Sequence, residues 1–105
     1  MQIRKLTLKE LYEAYELVQI CYKELSYERF EDLVYEMREN YIMHGVFEQN
    51  KLMAFAGVRV CMTLKDGRHI RVHELIAKDK TSKQELMSYL DDFAKISMAQ
   101  KVVYE

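Results

Sequence analysis

Residues 51–65, KLMAFAGVRVCMTLK, constrain the fold more than any other part of the chain. Every even position of this run is apolar, and strict alternation of this kind predicts a long β-strand. Gly57 suggests either a bulge or the close approach of another segment. The dipeptide QN precedes the run and DG follows it, and both are hairpin turn signals. We therefore expect three antiparallel strands in succession, over residues 41–48, 51–65 and 68–77.

Helical spacing of apolar residues predicts three helices around these strands. A short first strand contains Ile3 and Leu6, and Thr7 with Glu10 forms a capping box before the first helix. Ser26 can cap the second helix, and Asn40 can end it. The expected buried stripes are Leu8, Leu11, Tyr15, Val18, Tyr22 and Leu25 for the first helix, and Tyr27, Phe30, Leu33, Val34 and Met37 for the second.

The segment ELIAKDKTSKQELMSYL, residues 74–90, runs from strand into the third helix without a glycine. Thr81 or Ser82 is the predicted cap, with Gln84 or Glu85 completing a capping box. The predicted buried stripe of this helix is Leu86, Leu90, Phe93 and Ile96, and KVVYE forms a last strand. A strand–helix–strand unit of this length predicts a parallel crossover.

Bulk composition limits the possible functions. The 105 residues suit a single domain over residues 1–105, and the net charge of −1 argues against nucleic-acid binding. No apolar run reaches membrane-spanning length, and MQIRKLTLKE lacks the apolar core of a signal peptide, so a cytoplasmic location is expected. Cys21 and Cys61 are expected to be buried free thiols, and their spacing predicts no metal site.

The order β-α-α-β-β-β-α-β resembles the GNAT superfamily of N-acetyltransferases. VFEQNKLMAFAGVRV is similar to that family's second and third strands, RVHELIAKDK to its fourth strand, and QELMSYLDDFAKISMAQKVVYE to the helix and fifth strand that follow. The resemblance covers essentially the whole chain. It implies an α/β fold with a mixed sheet, the GNAT-like acyl-CoA N-acyltransferase fold, ending after the fifth strand.

The resemblance also implies acetyl-CoA as the cofactor. In the family, the fourth strand pairs with the pantetheine arm, and Leu75, Ile76 and Ala77 occupy that position here. The pyrophosphate lies on a loop of pattern R/Q-x-x-G-x-G/A at a helix N-terminus, where free amides and the helix dipole favour an anion. That arginine and those glycines are absent, and KDKTSKQELM is about four residues shorter than the family pattern. The remaining candidates are Thr81, Ser82, Lys83 and Gln84, so weak or absent binding of acetyl-CoA is expected.

Glu74 is the best candidate for a catalytic residue. Alternation places Ile70, Val72, Glu74 and Ile76 on one face of the strand, and a carboxyl group in an apolar row should have a raised pKa, as a general base needs. Some members of the family use a glutamate on this strand. The alternative is that Glu74 pairs with Arg59 across the strands or reaches solvent.

Other polar and aromatic residues have ordinary interpretations beside the functional ones. His44, His69 and His73 are scattered, and packing or surface roles compete with catalysis. Thr81, Ser82 and Lys83 can form an ordinary helix cap with a solvated lysine instead of an anion site. The tyrosines of the first two helices either border an acceptor pocket, as the resemblance implies, or pack in the core: Tyr12, Tyr15, Tyr22 and Tyr27.

Two functions remain open from the sequence. The first is an acetyl-CoA-dependent N-acetyltransferase acting on a small-molecule or peptide amine, impaired by the missing loop. The second is a non-catalytic GNAT-like module that acts through protein contacts. The family often takes the tyrosine that protonates the leaving thiolate from elements after the fifth strand, and no residue of this sequence matches it. The terminal strand offers a pairing edge and predicts either a homodimer through that strand or a monomer that tolerates the edge.

Overall fold

The computed structural model describes all residues from Met1 to Glu105 and contains one five-stranded sheet. The strands follow one another in space in chain order, antiparallel from β1 to β4, whereas β4 and β5 are parallel. This confirms the predicted α/β class, the element order and the parallel crossover. The elements are β1 Gln2–Lys5, α1 Leu11–Cys21, α2 Tyr27–Met37, β2 Ile42–Glu48, β3 Lys51–Thr63, β4 Gly67–Ala77, α3 Lys80–Ile96 and β5 Val102–Tyr104, with a 3₁₀ turn Leu8–Glu10 before α1.

The local turn and cap signals agree with the backbone. Gln49 and Asn50 have φ angles of 52° and 65°, the left-handed conformation that a two-residue hairpin needs, and Gly67 has φ 63° in the second hairpin. Ser26 caps α2 because its hydroxyl accepts the Arg29 N–H at 3.1 Å. The Thr7 N–H donates to the Glu10 carboxylate at 2.8 Å, as the capping box predicts.

Helices on both faces of the sheet produce two separate cores. Helices α1 and α2 pack on one face, where Leu52, Phe55 and Ile76 join the helical side chains. Helix α3 packs on the other face against a second apolar cluster made of Val46, Ala54, Ala56, Val58, Ile70, Val72, Leu86, Leu90 and Ala94. The two clusters bury both faces of the central strands, so a side chain's face decides which helices it contacts.

Two bulges change the faces that simple alternation predicts. Between β2 and β3, Val46 lies opposite Ala54 and Phe47 opposite Leu52, so Met53 is the extra residue. Leu52 therefore packs against α1 and α2, whereas Ala54 and the following even positions face α3. The apolar residues at the even positions of β3 are therefore divided between the two cores.

Several burial predictions were wrong. Cys21 is exposed at the end of α1 and Cys61 is partly exposed near the turn of the β3–β4 hairpin, so neither is a buried thiol. Tyr22 lies just after α1 ends and Leu8 lies in the 3₁₀ turn, and both leave the buried stripe because the helical period does not hold there. Ile96 is also exposed, since Ala94 takes the buried position in the last turn of α3.

Candidate functional site

A bulge in β4 determines where the Glu74 carboxyl group points. Gly57 of β3 lies opposite Glu74, but the next residue, Val58, lies opposite Val72, so His73 is the extra residue of β4. Ile70 and Val72 pack against α3, whereas Ile76 packs against α1 and α2. The predicted single face of Ile70, Val72, Glu74 and Ile76 was therefore wrong, because the bulge reverses the alternation between Val72 and Glu74.

Glu74 is half-buried on the face that α1 and α2 cover, and its partner is a tyrosine rather than an arginine. The Tyr41 hydroxyl donates a hydrogen bond to Oε1 of Glu74. Arg59, the alternative partner that we considered, lies opposite Arg71 in the strand register. Burial raises the pKa of Glu74, while the hydrogen bond from Tyr41 acts in the opposite direction. Burial and the Glu74 charge also raise the pKa of Tyr41, so the phenol stays protonated and acts as a donor.

Gly57 makes the contact between Tyr41 and Glu74 possible. A Cβ atom at this position would overlap the Tyr41 hydroxyl and ring, and would come within 2.5 Å of the Glu74 carboxylate. Only a residue without a side chain therefore lets the phenol cross β3 and reach β4. Both structural interpretations of Gly57 hold: it lies at a bulge and it permits a close approach.

A cavity of about 630 Å³ opens above this pair, between α1 and α2. Glu74 and Tyr41 form part of its wall, and nine of its twelve lining residues are hydrophobic. Its volume lies within the range of about 300–1,000 Å³ that is typical of small-molecule sites. The lining residues are Val18, Cys21, Tyr22, Lys23, Glu24, Leu25, Phe30, Leu33, Val34, Met37, Tyr41 and Glu74.

The β4 edge beyond the bulge faces no strand on the β5 side. β5 pairs with β4 only at Ile70, Arg71 and Val72, and the last bond joins the Glu105 N–H to the Val72 carbonyl at 3.1 Å. The predicted cofactor-binding residues Leu75, Ile76 and Ala77 lie in the part of β4 beyond that pairing. Their other edge pairs with β3, where they lie opposite Ala56, Phe55 and Ala54. An extended ligand carrying amide groups could therefore pair with this edge as a strand would.

The N-terminus of α3 begins earlier than the sequence predicts. The Lys78 N–H donates to the Met53 carbonyl at 2.9 Å, which keeps the chain extended, and the helix starts at Lys80. Asp79 is the cap because its carboxylate accepts the Ser82 N–H at 2.7 Å, and this bond lowers the pKa of Asp79. The predicted cap at Thr81 or Ser82 was wrong, and so was the capping box with Gln84 or Glu85, since the third helical position is Ser82.

The candidate anion-binding residues of α3 differ in their exposure and surroundings. Thr81 and Gln84 are exposed in the first turns, and Ser82 is buried with its hydroxyl oxygen lacking a hydrogen-bond partner. Lys83 lines a shallow groove between β4, β5 and α3, on the opposite face of β4 from the cavity. The Asp79 carboxylate already uses the Ser82 amide that an anion at this helix end would need.

The histidines are separated from the cavity. His44 is fully buried against α3, 3.2 Å from the Tyr89 hydroxyl, and His69 is fully buried with Nδ1 2.9 Å from the Gly67 carbonyl. His73 lies in the bulge and contacts the Glu105 carboxylate at 2.9 Å. No group of three or more His, Cys, Asp or Glu side chains is close enough together to hold a metal ion.

The helical tyrosines divide between packing and the cavity. Tyr15 is buried in the core and Tyr27 packs against it, so for these two the packing interpretation is correct, whereas Tyr12 contacts both rings but is 56% exposed. Tyr22 instead lines the cavity. Tyr41 was not among the predicted site residues, because its contact with Glu74 joins residues that are 33 positions apart. The one sequence signal for this contact was Gly57, a glycine inside an otherwise strong strand.

An antiparallel meander that ends in a parallel crossover, with helices on both faces, defines the class of fold, and solved structures of acetyltransferases share it. A GNAT family acetyltransferase from Staphylococcus aureus has a TM-score of 0.78 at 13% identity, over 99% of this chain and 84% of that chain. Ribosomal-protein-alanine N-acetyltransferase from Brucella melitensis biovar Abortus has a TM-score of 0.81 at 18% identity, over 99% of this chain and 78% of that chain. An aminoglycoside N-acetyltransferase solved in complex with CoA has a TM-score of 0.81 at 8% identity, over 99% of this chain and 75% of that chain.

This chain therefore has the GNAT acetyltransferase fold, as the sequence resemblance implied. No family model and no curated protein matches its sequence. Identities this low establish the fold, and the activity has to be argued from the site. None of the three helices combines the length and the apolar character needed to cross a membrane.

Proposed function

We propose that this chain is an acetyl-CoA-dependent N-acetyltransferase that acts on an amine bound in the cavity between α1 and α2. The observation that carries the proposal is Glu74, a half-buried carboxyl group in the wall of a mostly apolar cavity, next to the part of β4 whose edge on the β5 side is unpaired. Two of the solved structures of the same fold are N-acetyltransferases by their names, and one of these contains CoA.

Glu74 would act as the general base. The Tyr41 hydroxyl occupies Oε1, and no other hydrogen bond to this carboxyl group is present, so Oε2 can accept a proton from an amine in the cavity. Burial raises the pKa of Glu74 toward the working range of a general base. The hydrogen bond from Tyr41 to Oε1 would orient the carboxyl group, and Gly57 leaves the room that the phenol needs to form this bond.

The residues present fit acetyl-CoA only in part. The open edge of β4 from His73 to Ala77 suits the amide-bearing pantetheine arm. The N-terminus of α3 does not suit the pyrophosphate, because the Asp79 carboxylate holds the Ser82 amide and would repel a second anion. When bound, acetyl-CoA would supply the acetyl thioester. We expect that binding to be weak.

A non-catalytic module is the second candidate, and Asp79 is the observation that favours it. The Asp79 carboxylate lies where the pyrophosphate would be expected, and in a chain that does not bind the cofactor it would disturb no function. A cytoplasmic location and a homodimer through β5 also remain predictions.

Calorimetric titration with acetyl-CoA, followed by an assay of CoA release with amine acceptors, tests the proposal. We expect measurable binding at millimolar or lower concentration and slow turnover. The variant Glu74→Gln should lower the turnover rate by about 100-fold or more, because a positioned base contributes about that factor. The matched control is Glu36→Gln, which removes an exposed carboxylate of α2 and should leave turnover unchanged. No heat of binding at millimolar acetyl-CoA would leave the non-catalytic module.

A further inference from the structure

Most of the cavity wall is apolar, and its polar side chains are Tyr22, Lys23, Glu24, Tyr41 and Glu74. Six of the lining side chains, from α1, α2 and the segment between them, offer no hydrogen-bonding atom: Val18, Leu25, Phe30, Leu33, Val34 and Met37. Lys23 and Glu24 are exposed residues of the connection after α1. Glu74 is thus the one charged group of the wall that the fold partly buries.

Glu74 has no cationic partner in the protein. The four ion pairs of the chain join Arg4 to Glu10, Arg71 to Glu105, His73 to Glu105, and Lys101 to Asp66. A carboxyl group that is half-buried among apolar side chains and has one neutral donor lacks the partner that usually compensates for its lost hydration. A ligand that brings one positive charge to Oε2 would supply this partner.

The rest of the ligand must match the apolar walls. A sugar or a peptide carries many polar groups, and those that lie against the six apolar side chains would lose water without gaining a hydrogen-bond partner. A hydrocarbon or aromatic body loses nothing polar on entry, and the volume of about 630 Å³ accommodates a body of one or two rings.

From these observations we infer that the cavity binds a primary amine on an apolar aromatic or alkyl body, with the ammonium group paired to Glu74 and the body held between α1 and α2. This inference rests on the proposed function, because it names the acceptor class for the same site. It differs from the named activities of the similar structures, which include transfer to aminoglycosides.

Calorimetric titration without acetyl-CoA tests the inference with three probes. 2-Phenylethylamine should bind, while 2-phenylethanol, which lacks the charge, should bind at least about 10-fold more weakly, the factor expected for one charged hydrogen bond. Glucosamine carries the amine on a polar body and should show no binding. Because these comparisons use the unmodified chain, they do not depend on whether a variant folds.

Variants then test which residues bind the ammonium group and which bind the apolar body. Glu74→Gln should remove the preference for the amine over the alcohol, while Leu33→Asn should weaken the binding of both. The control Glu36→Gln should change neither. Equal affinity for amine and alcohol would overturn the role of Glu74, and glucosamine binding as tight as that of 2-phenylethylamine would overturn the apolar body.

The outcome is distinguishable from that of the proposed function. If 2-phenylethylamine binds with the expected preferences but is never acetylated, the inferred ligand class stands and the proposed activity fails. If CoA is released with a polar amine while 2-phenylethylamine neither binds nor reacts, the activity stands and the inferred ligand class is wrong.

Discussion

Two ionisable groups on opposite faces of the sheet, the half-buried Glu74 and the fully buried His44, each contact a tyrosine, and they differ in their access to a cavity. Glu74 accepts a hydrogen bond from Tyr41 and lines the cavity under α1 and α2. His44 lies 3.2 Å from the Tyr89 hydroxyl, stacks edge-on against Phe93 at 4.6 Å, and is fully buried under α3. Its Nε2 atom has no hydrogen-bond partner.

Burial alone therefore does not indicate a functional group. Burial removes water from the charged form of each group and so favours the neutral form. The pKa of Glu74 is therefore raised, and that of His44 is lowered to about 4. Of the two groups only Glu74 can meet a ligand, since it lines a cavity between two helices, whereas His44 is fully buried under α3.

The largest expected effect is a loss of stability in acid that depends on His44. In the unfolded chain this histidine takes up a proton near pH 6.5, but in the folded chain it does so only near pH 4. Between these values the unfolded state binds more protons, so the free energy of unfolding falls as the pH falls. The full loss should be about 3 kcal/mol, reached near pH 4, because each pKa unit corresponds to about 1.4 kcal/mol. Urea unfolding between pH 4 and 7.5 measures it.

The variant His44→Leu should flatten this pH dependence, while His73→Gln, a change at a histidine in the β4 bulge, should retain it. Glu74 contributes with the opposite sign: its raised pKa means that the folded state holds the proton longer, so its contribution falls as the pH rises above about 4.5. An acid loss of the same size in His44→Leu and in the unmodified chain would contradict the assignment to the closed face.

The second effect concerns Gly57 and the open face. In Gly57→Ala the new methyl group overlaps the Tyr41 hydroxyl and ring, so either the phenol leaves Glu74 or the strands shift. We expect a destabilisation of about 2 kcal/mol, typical of overpacking in a core, together with loss of amine binding. Urea unfolding and titration with 2-phenylethylamine measure the two quantities.

A double-mutant cycle identifies the cause. In a Tyr41→Ala background the methyl group meets no phenol, so Gly57→Ala should cost much less there. The acid loss due to His44 should be the same in all four proteins of this cycle, because His44 lies on the other face. Additive free energies would show that Gly57 is required for another reason.

The sequence predicted the elements but not the faces. Hairpins and caps are local, so QN, DG and Ser26 were sufficient to place them. The bulges at Met53 and His73 arise from pairing between strands, and alternation within one strand contains no information about them. Glu74 was a correct candidate for the cavity wall, but its predicted neighbours were wrong, because the bulge at His73 turns Ile70 and Val72 toward α3.

The parts of the site that escaped prediction depend on distant contacts. Tyr41 reaches Glu74 only because Gly57 leaves room, and residues of the cavity such as Phe30 and Val34 had appeared to be ordinary core positions. The sequence around the start of α3 offers three residues that are good helix caps: Asp79, Thr81 and Ser82. Asp79 is the cap in the structure because the hydrogen bond from the Lys78 N–H to the Met53 carbonyl fixes where the strand ends.

The smallest expected effects concern Asp79, at the start of the helix that closes the second face. Asp79→Ala removes the acceptor of the Ser82 N–H and should lower the free energy of unfolding by about 1 kcal/mol, the usual cost of a lost cap. Asp79→Asn keeps an equally good cap and should leave stability nearly unchanged.

The same two variants separate capping from charge at the position where a pyrophosphate would lie. If the Asp79 carboxylate repels that group, Asp79→Asn should bind acetyl-CoA about 2- to 5-fold more tightly than the unmodified chain, because a charge at a helix N-terminus is worth about 0.3–1 kcal/mol. Asp92→Asn makes the same charge change on an exposed residue farther along α3 and should leave the affinity unchanged. Binding of 2-phenylethylamine should be equal in all these proteins, since Glu74 lies on the other face. A change in amine affinity on mutation of Asp79 would mean that the two faces are coupled through β4, and an unchanged affinity of Asp79→Asn for acetyl-CoA would mean that the carboxylate is not what weakens cofactor binding.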